Sequence, residues 1–174
     1  MGSLCLVADS LYAVFPAAVL NSWVEIQVMM SNAIKQNIIL WADDDADDLF
    51  LVKEAVENIA DSFQIVEASN GRQALDLLHS LESSSHLPCL VVLDINMPVM
   101  NGKETLAVLR KDDRYKSVPV AVFTTSTSEK DRLYCERLGA QMFSKPHTYR
   151  SFEKMIGKLI SFCKPGKENI SALQ

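Results

Sequence analysis

Asp43-Asp44-Asp45, Asp94, Thr124-Thr125 and Lys145-Pro146 lie far apart in the chain, yet each acid, hydroxyl or amine falls at the carboxyl end of an apolar run. In an open parallel sheet those ends share one edge, where ligands bind. Carboxylates crowded at that edge repel one another and raise each other's pKa unless a divalent cation neutralises them. Oxygen donors with no His or Cys beside them favour Mg²⁺, which takes one or two carboxylates and keeps several waters. A carboxylate can also act as a nucleophile toward phosphorus, giving an aspartyl phosphate. The charge spread over a transferring phosphoryl group calls for a metal, a fixed ammonium and hydrogen-bond donors. Lys145 and Thr124 can supply the last two.

From Asn37 onward, strand and helix patterns alternate five times, which predicts an α/β fold: a doubly wound parallel sheet with helices on both faces. Residues 38–41 form a continuous apolar run, as expected of a strand covered on both sides. A helix is expected from near Ala46, its buried stripe made by Leu49, Val52, Ala55, Val56 and Ile59. Residues 63–68 read as a second strand. Asn70 and Gln73 then predict a capping box, opening a helix whose apolar side is Ala74, Leu75, Leu77, Leu78 and Leu81. Ser83-Ser84-Ser85 ends it. The central strand is expected at 89–93, a third helix at 102–110 and a fourth strand at 118–123. Ser126 and Glu129 predict a second capping box, for a helix ending at Gly139. A fifth strand at 141–144 leads to Lys145, and a last helix at 148–162 turns Phe152, Met155, Ile156, Leu159 and Ile160 inward before Pro165-Gly166 stops it.

At 174 residues, with 48% hydrophobic and 22% charged, the chain can bury one substantial core. A net charge of −5 leaves no Lys/Arg stripe to neutralise phosphates, which argues against nucleic acid as a partner. Cys5, Cys89, Cys135 and Cys163 show no Cys-x-x-Cys spacing, so neither a zinc site nor a disulfide framework is expected, and reduced thiols in a cytoplasm fit best. Residues 1–36 stand apart, with only Asp9, Glu25 and Lys35 charged. Their apolar stretch at 11–20 is interrupted by Pro16 and is too short to span a bilayer. A secretory signal would want positive charge ahead of that stretch. Three readings stay open: an upstream extension with translation starting at Met29 or Met30, a docked extra element, and a cleaved signal. The expected division is an extension at 1–36, a domain at 37–163 and a tail at 164–174, too short for a second domain.

The segment Asp94-Ile95-Asn96-Met97-Pro98-Val99-Met100-Asn101-Gly102, with the other three motifs in order around it, resembles the response-regulator receiver domain of two-component signalling. The resemblance covers residues 37–162 or so. It implies a flavodoxin-like, five-stranded parallel sheet in the order 2-1-3-4-5. It also implies that Asp94 accepts a phosphoryl group from a histidine kinase or phosphotransfer protein. Asp43 and Asp44 would hold Mg²⁺ with Asp94 and the backbone carbonyl of Asn96. Lys145 would bind the phosphoryl group, Thr124 would sense it, and the Lys145-Pro146 bond would be cis, as in that family. The run through Asp47-Asp48 and the long connections at 83–88 and 112–117 look most like stand-alone receivers paired with phytochrome-type kinases. In the family an aromatic stands three residues before the Lys. Here Met142 holds that place and Phe143 sits two before, so the switch residue is one of the two, with Phe143 favoured in a shortened loop. Output would come from the face of the fourth helix, fifth strand and fifth helix, through another protein or a homodimer. Neither nucleic acid nor membrane is expected as a partner, and no enzymatic activity beyond the domain's own phosphorylation and dephosphorylation.

Other readings of the same residues compete. Asp47 and Asp48 read as a solvated helix start, because acids favour the positive end of the helix dipole. Asp43, Asp45, Asp47 and Glu54 imitate an EF-hand, but Asp48 stands where that loop needs Gly. Asp94 alone is compatible with a turn-forming Asx residue. A haloacid-dehalogenase-type phosphatase also uses a strand-end Asp followed by Thr or Ser and then Lys, yet it wants a second acid where this chain has Asn96. A pseudo-receiver that never takes phosphate is the remaining alternative. Thr125 and Ser126 read as access and capping residues, His79, His86 and His147 as surface, Met97 and Met100 as packing, and Trp41 as core.

Overall fold

Strands β1 (Asn37–Ala42), β2 (Phe63–Ala68), β3 (Leu90–Leu93), β4 (Val120–Thr124) and β5 (Gln141–Ser144) alternate with helices α1 (Ala46–Ile59), α2 (Gly71–Ser83), α3 (Gly102–Lys111), α4 (Glu129–Arg137) and α5 (Tyr149–Ile160). The computed structural model describes residues 37–59, 62–83, 87–146 and 148–163. The expectations for 1–36 and 164–174, for Pro165-Gly166, and for His86 and His147 lie outside the described residues. All strand pairs are parallel, and the order is β2-β1-β3-β4-β5, as the resemblance implied.

Side chains alternate across a strand, so each apolar run supplies two layers. Ile39, Trp41, Leu90, Val92, Ala121, Phe123 and Phe143 pack on one face with Val52, Ala55 and Val56 of α1 and Phe152, Ile156 and Leu159 of α5. Leu40, Ala42, Val91, Leu93, Val120 and Val122 pack on the other with α2, α3 and Cys135 of α4. Each fully buried Leu or Phe contributes about 1.5–3 kcal/mol relative to exposure. This two-sided burial fixes the register that carries the strand ends to one edge. Ile59, expected on the buried stripe of α1, is instead 43% exposed in the last turn.

Local chemistry shifts several boundaries. Pro119 has no N–H to give to a ladder, and β4 begins after it at Val120, although the Pro119 carbonyl still accepts from the Val91 N–H at 2.9 Å. The Asn70 side chain accepts from the Gln73 N–H at 2.9 Å, but the Gln73 side chain reaches the Ser69 N–H at 2.7 Å rather than closing a box on Asn70. The box expected from Ser126 and Glu129 does not form. Ser128 caps α4 by accepting from the Asp131 N–H, while the Ser126 hydroxyl donates to Asp131 and accepts from the Ser128 N–H. A full capping box, Asn101 with Glu104, opens α3 instead. Gly139, at φ 68°, provides the left-handed turn that ends the α4 segment.

The thiols correct the expectation of four reduced cysteines. Cys89, just before β3, and Cys163, just after α5, form a disulfide with a Cα–Cα distance of 4.9 Å. They are 74 residues apart, and spacing along the chain carries no sign of a pairing that only the packing of α5 against the sheet creates. Cys135 is a buried free thiol. No helix among the described residues is long and apolar enough to cross a membrane.

Candidate functional site

Ala42 and Leu93 are register partners, so the chain leaves the sheet with Asp43 and Asp94 side by side. Backbone bonds extend the ladder by one residue, from the Asp94 N–H to the Ala42 carbonyl and from the Asp43 N–H to the Ala68 carbonyl, each at 2.9 Å. Asp43 and Asp94 are 1% and 5% exposed, whereas Asp44 faces solvent. Carboxylate oxygens of these three acids lie within 4.8 Å of one another. Asp94 Oδ2 accepts from the Asn96 N–H at 3.3 Å, while Asp94 Oδ1 is buried without a partner. An unpaired buried oxygen is costly.

Burial pushes the Asp43 carboxyl up to about 6, outweighing the pull of Lys145, and the Asp94 charge adds to the rise. The set is all hard oxygen donors, carries excess negative charge and has an orphaned buried atom, so it fits a divalent cation. Asp45 does not join it. Its side chain accepts from the Asp47 N–H at 2.9 Å and so caps α1, which removes the EF-hand reading.

The β3–α3 loop presses tightly on the acids. A Cβ on Gly102 would lie 2.1 Å from the Asp94 carbonyl oxygen, so only glycine lets the start of α3 come this close. Val99, 85% exposed, has φ 65°, a left-handed conformation that is strained for a β-branched residue. Asn96 is exposed at the mouth of the same loop.

Lys145 arrives from β5, its N–H donating to the Thr124 carbonyl at 2.9 Å. The Lys145-Pro146 bond is trans, contrary to the cis bond the resemblance implied. An X–Pro bond prefers trans by only about 0.5–1 kcal/mol, so the dipeptide by itself does not fix the isomer. Two carboxylates aim the amine: Lys145 Nζ lies 2.7 Å from Asp43 Oδ2 and 2.7 Å from Asp48 Oδ2. Burial lowers the affinity of this ammonium for its proton, but the two acids outweigh it and the net shift is upward. Asp48 is the residue that sequence reasoning missed by assigning it to a solvated helix start. The available signal was its place four and seven residues before Val52 and Ala55, on the buried stripe of α1.

A cavity of about 400 Å³ joins Asp43, Asp44, Asp48, Asp94, Thr125 and Lys145. Thr125, read as an access residue, lines it. Thr124 is fully buried at the end of β4, and its hydroxyl accepts from the Ser126 N–H at 3.2 Å. Thr124 shares strand parity with Val120 and Val122, which face the α2–α4 layer. Met142, the register partner of Val122, packs partly buried on that same layer. Phe143 points the other way and is 5% exposed, against Phe162 at 5.9 Å and under the Lys158 amine at 5.2 Å.

Comparison with known proteins places this geometry. The family model for the response regulator receiver domain matches residues 39–156. The probable methanogenesis regulatory protein FilR2 of Methanothrix harundinacea is 30% identical over 125 residues, covering 70% of this chain and 80% of that protein. A solved structure of the phosphorylated cyanobacterial phytochrome response regulator RcpA has a TM-score of 0.67 at 25% identity, covering 73% of this chain and 93% of that one. The Mn²⁺-bound form of response regulator Rcp1 has a TM-score of 0.64 at 25% identity, covering 79% and 99%. For several other curated relatives the chain spans about half of their length or less.

Proposed function

The chain belongs to the response regulator receiver domain family, and from that premise we propose that it is a phosphorylation switch in which Asp94 takes a phosphoryl group from a histidine kinase or a phosphotransfer protein. The observation that carries this reading is the buried, unpaired Asp94 Oδ1 in a cavity shared with Lys145. An Asp94 carboxylate oxygen attacks phosphorus. A P–O bond forms as the donor's P–N bond breaks, and the electron pair of that bond stays on the imidazole. Asp43, Asp44, Asp94 and the backbone carbonyl of Asn96 would hold Mg²⁺, a choice supported by the manganese of Rcp1. When bound, the cation neutralises these acids and the oxygens of the incoming group. The Lys145 ammonium, already inside the cavity, supplies the second positive charge.

About two negative charges then arrive at one strand end. The Thr124 hydroxyl, turning toward them, gives up the Ser126 N–H. That contact is tied to α4, because the Ser126 hydroxyl donates to Asp131, which also takes the Lys103 amine at 2.6 Å. Met142 shares the Thr124 face, so it, rather than Phe143, is the side chain placed to follow. The readout surface is α4, β5 and α5, recognised by a downstream protein or a second copy of this chain, with no nucleic acid or membrane partner. Residues 37–163 form the receiver domain in this reading, with 1–36 as an extension and 164–174 as a tail. Its only catalysis is its own phosphorylation and dephosphorylation, in the cytoplasm, where reducing conditions oppose the Cys89–Cys163 bond. Incubation with acetyl phosphate and Mg²⁺ should attach one hydroxylamine-labile phosphate, lost without Mg²⁺ and absent in Asp94→Asn. Labelling that persists in Asp94→Asn refutes the assignment.

A further inference from the structure

Lys145 is gripped from two sides, and only one of its partners belongs to the acid cluster. Asp43 comes from the end of β1. Asp48 comes from the first turn of α1, and its Oδ2 accepts a hydrogen bond from Lys145 Nζ at 2.7 Å. The pair is well sheltered, with side chains 9% and 26% exposed. Asp47, next to it, is exposed and takes no part. Asp48 lines the same cavity as Asp94 but lies outside the group of acids whose oxygens converge within 4.8 Å. An ammonium has three N–H donors, and two of them face these carboxylates. A phosphoryl oxygen on Asp94 is left with the third donor and must share the amine's charge and aim with Asp43 and Asp48, which hold it at 2.7 Å each.

We propose that Asp48 is a positioning residue that competes with the phosphoryl group for Lys145 and thereby shortens the life of the phosphorylated state. This rests on the phosphorylation of Asp94 proposed above. Asp48 is the partner free to let go, because Asp43 is fixed at the ladder's end and is itself a candidate cation ligand, whereas Asp48 stands on a helix rim with a more exposed side chain. In the resting site the Asp48 bond keeps the amine parked. After transfer it pulls the amine back from the new oxygens, so those oxygens lose a stabilising cation and the acyl phosphate is more open to water.

The test compares wild type, Asp48→Asn, Asp48→Glu and the control Asp47→Asn, each as the full chain with Mg²⁺ and acetyl phosphate. Asp48→Asn should raise the steady-state phosphorylated fraction relative to the unphosphorylated by about fivefold, the scale of one sheltered ion pair. It should tighten binding of the phosphoryl mimic beryllofluoride by a similar factor and shift the Lys145 ammonium resonance at fixed pH, with Mg²⁺ affinity unchanged. Asp48→Glu should return all three toward wild type, and Asp47→Asn should move none. A wild type that labels on Asp94 while Asp48→Asn labels, decays and binds beryllofluoride identically overturns this inference alone. So does a loss of Mg²⁺ affinity in Asp48→Asn without a change in lifetime, which would make Asp48 a metal ligand. A wild type that takes no phosphoryl group overturns the switch reading and this inference together.

Discussion

The two edges of the sheet are built to opposite rules. At the edge where strands begin, polar groups are matched: the Arg110 guanidinium donates to the carbonyls of Leu138 at 2.8 Å and Val118 at 3.1 Å, and Cys89 is bonded to Cys163. At the edge where strands end, acids crowd together, Asp94 Oδ1 has no partner and Val99 sits in a left-handed conformation. The same apolar strands feed both edges, so the difference lies in the residues placed just beyond them. One edge is matched by groups of the chain itself, and the other carries clustered acids and a buried oxygen that the chain leaves unpaired.

If stability is concentrated at the beginning edge, cutting there should cost most. Replacing Cys89 and Cys163 with Ala, or reducing them, should lower unfolding free energy by up to ~4 kcal/mol in denaturant titrations, the chain-entropy figure for a loop of 74 residues. Equal stability with and without reductant would erase half of the contrast. Arg110→Met should cost about 2 kcal/mol, because it keeps the aliphatic stem but strands the Leu138 and Val118 carbonyls.

The ending edge should respond with the opposite sign. Asp43 holds its proton up to about pH 6 when folded against an ordinary value of 3.8, so the native state binds that proton more tightly than the unfolded chain. Its contribution is therefore lost as pH rises between those two values and stays lost above them. In chelator, wild type should fall relative to Asp43→Asn across that window, and Mg²⁺ should abolish the difference, as followed by thermal melts at each pH. Smallest is the loop strain: Val99→Asn should stabilise the metal-free protein by ~0.5–1 kcal/mol, because Asn tolerates positive φ and Val99 buries almost nothing. No gain would mean that the loop relaxes without cost.

Much of the ending edge was legible from the chain alone. The acids, hydroxyl and amine each follow a short apolar run, and a parallel sheet leaves such runs nowhere to end but one rim, so Asp43, Asp94 and Lys145 come together as expected. The Asp48 contact was hidden because helix-start acids have a sufficient local explanation in the dipole, and only the stripe shared with Val52 and Ala55 sets Asp48 apart from Asp47. Which of Met142 and Phe143 shares the Thr124 face turns on strand parity, which spacing from Lys145 does not encode and the pairing of Val122 with Met142 shows. Capping at Ser128 instead of Ser126 reflects a competition between nearly equivalent hydroxyls, settled by where the chain can turn after Thr125. The Cys89–Cys163 bond and the trans Lys145-Pro146 peptide belong to tertiary context, which no local pattern reports.

A rod clamped at one tip can only swing about the clamp. The covalent link between Cys163 and the base of the central strand fastens α5 at its far end, whereas its opening turn, a few residues after Lys145, is held more lightly, the Tyr149 hydroxyl accepting from the Asn58 amide at 3.4 Å. While the link is oxidised, a tug on the amine should be felt most near the acids and die away toward the anchor, so a molecule that reads this helix should grip its opening turn; reduction would leave the packing of Phe152, Ile156 and Leu159 to hold the rod against the sheet.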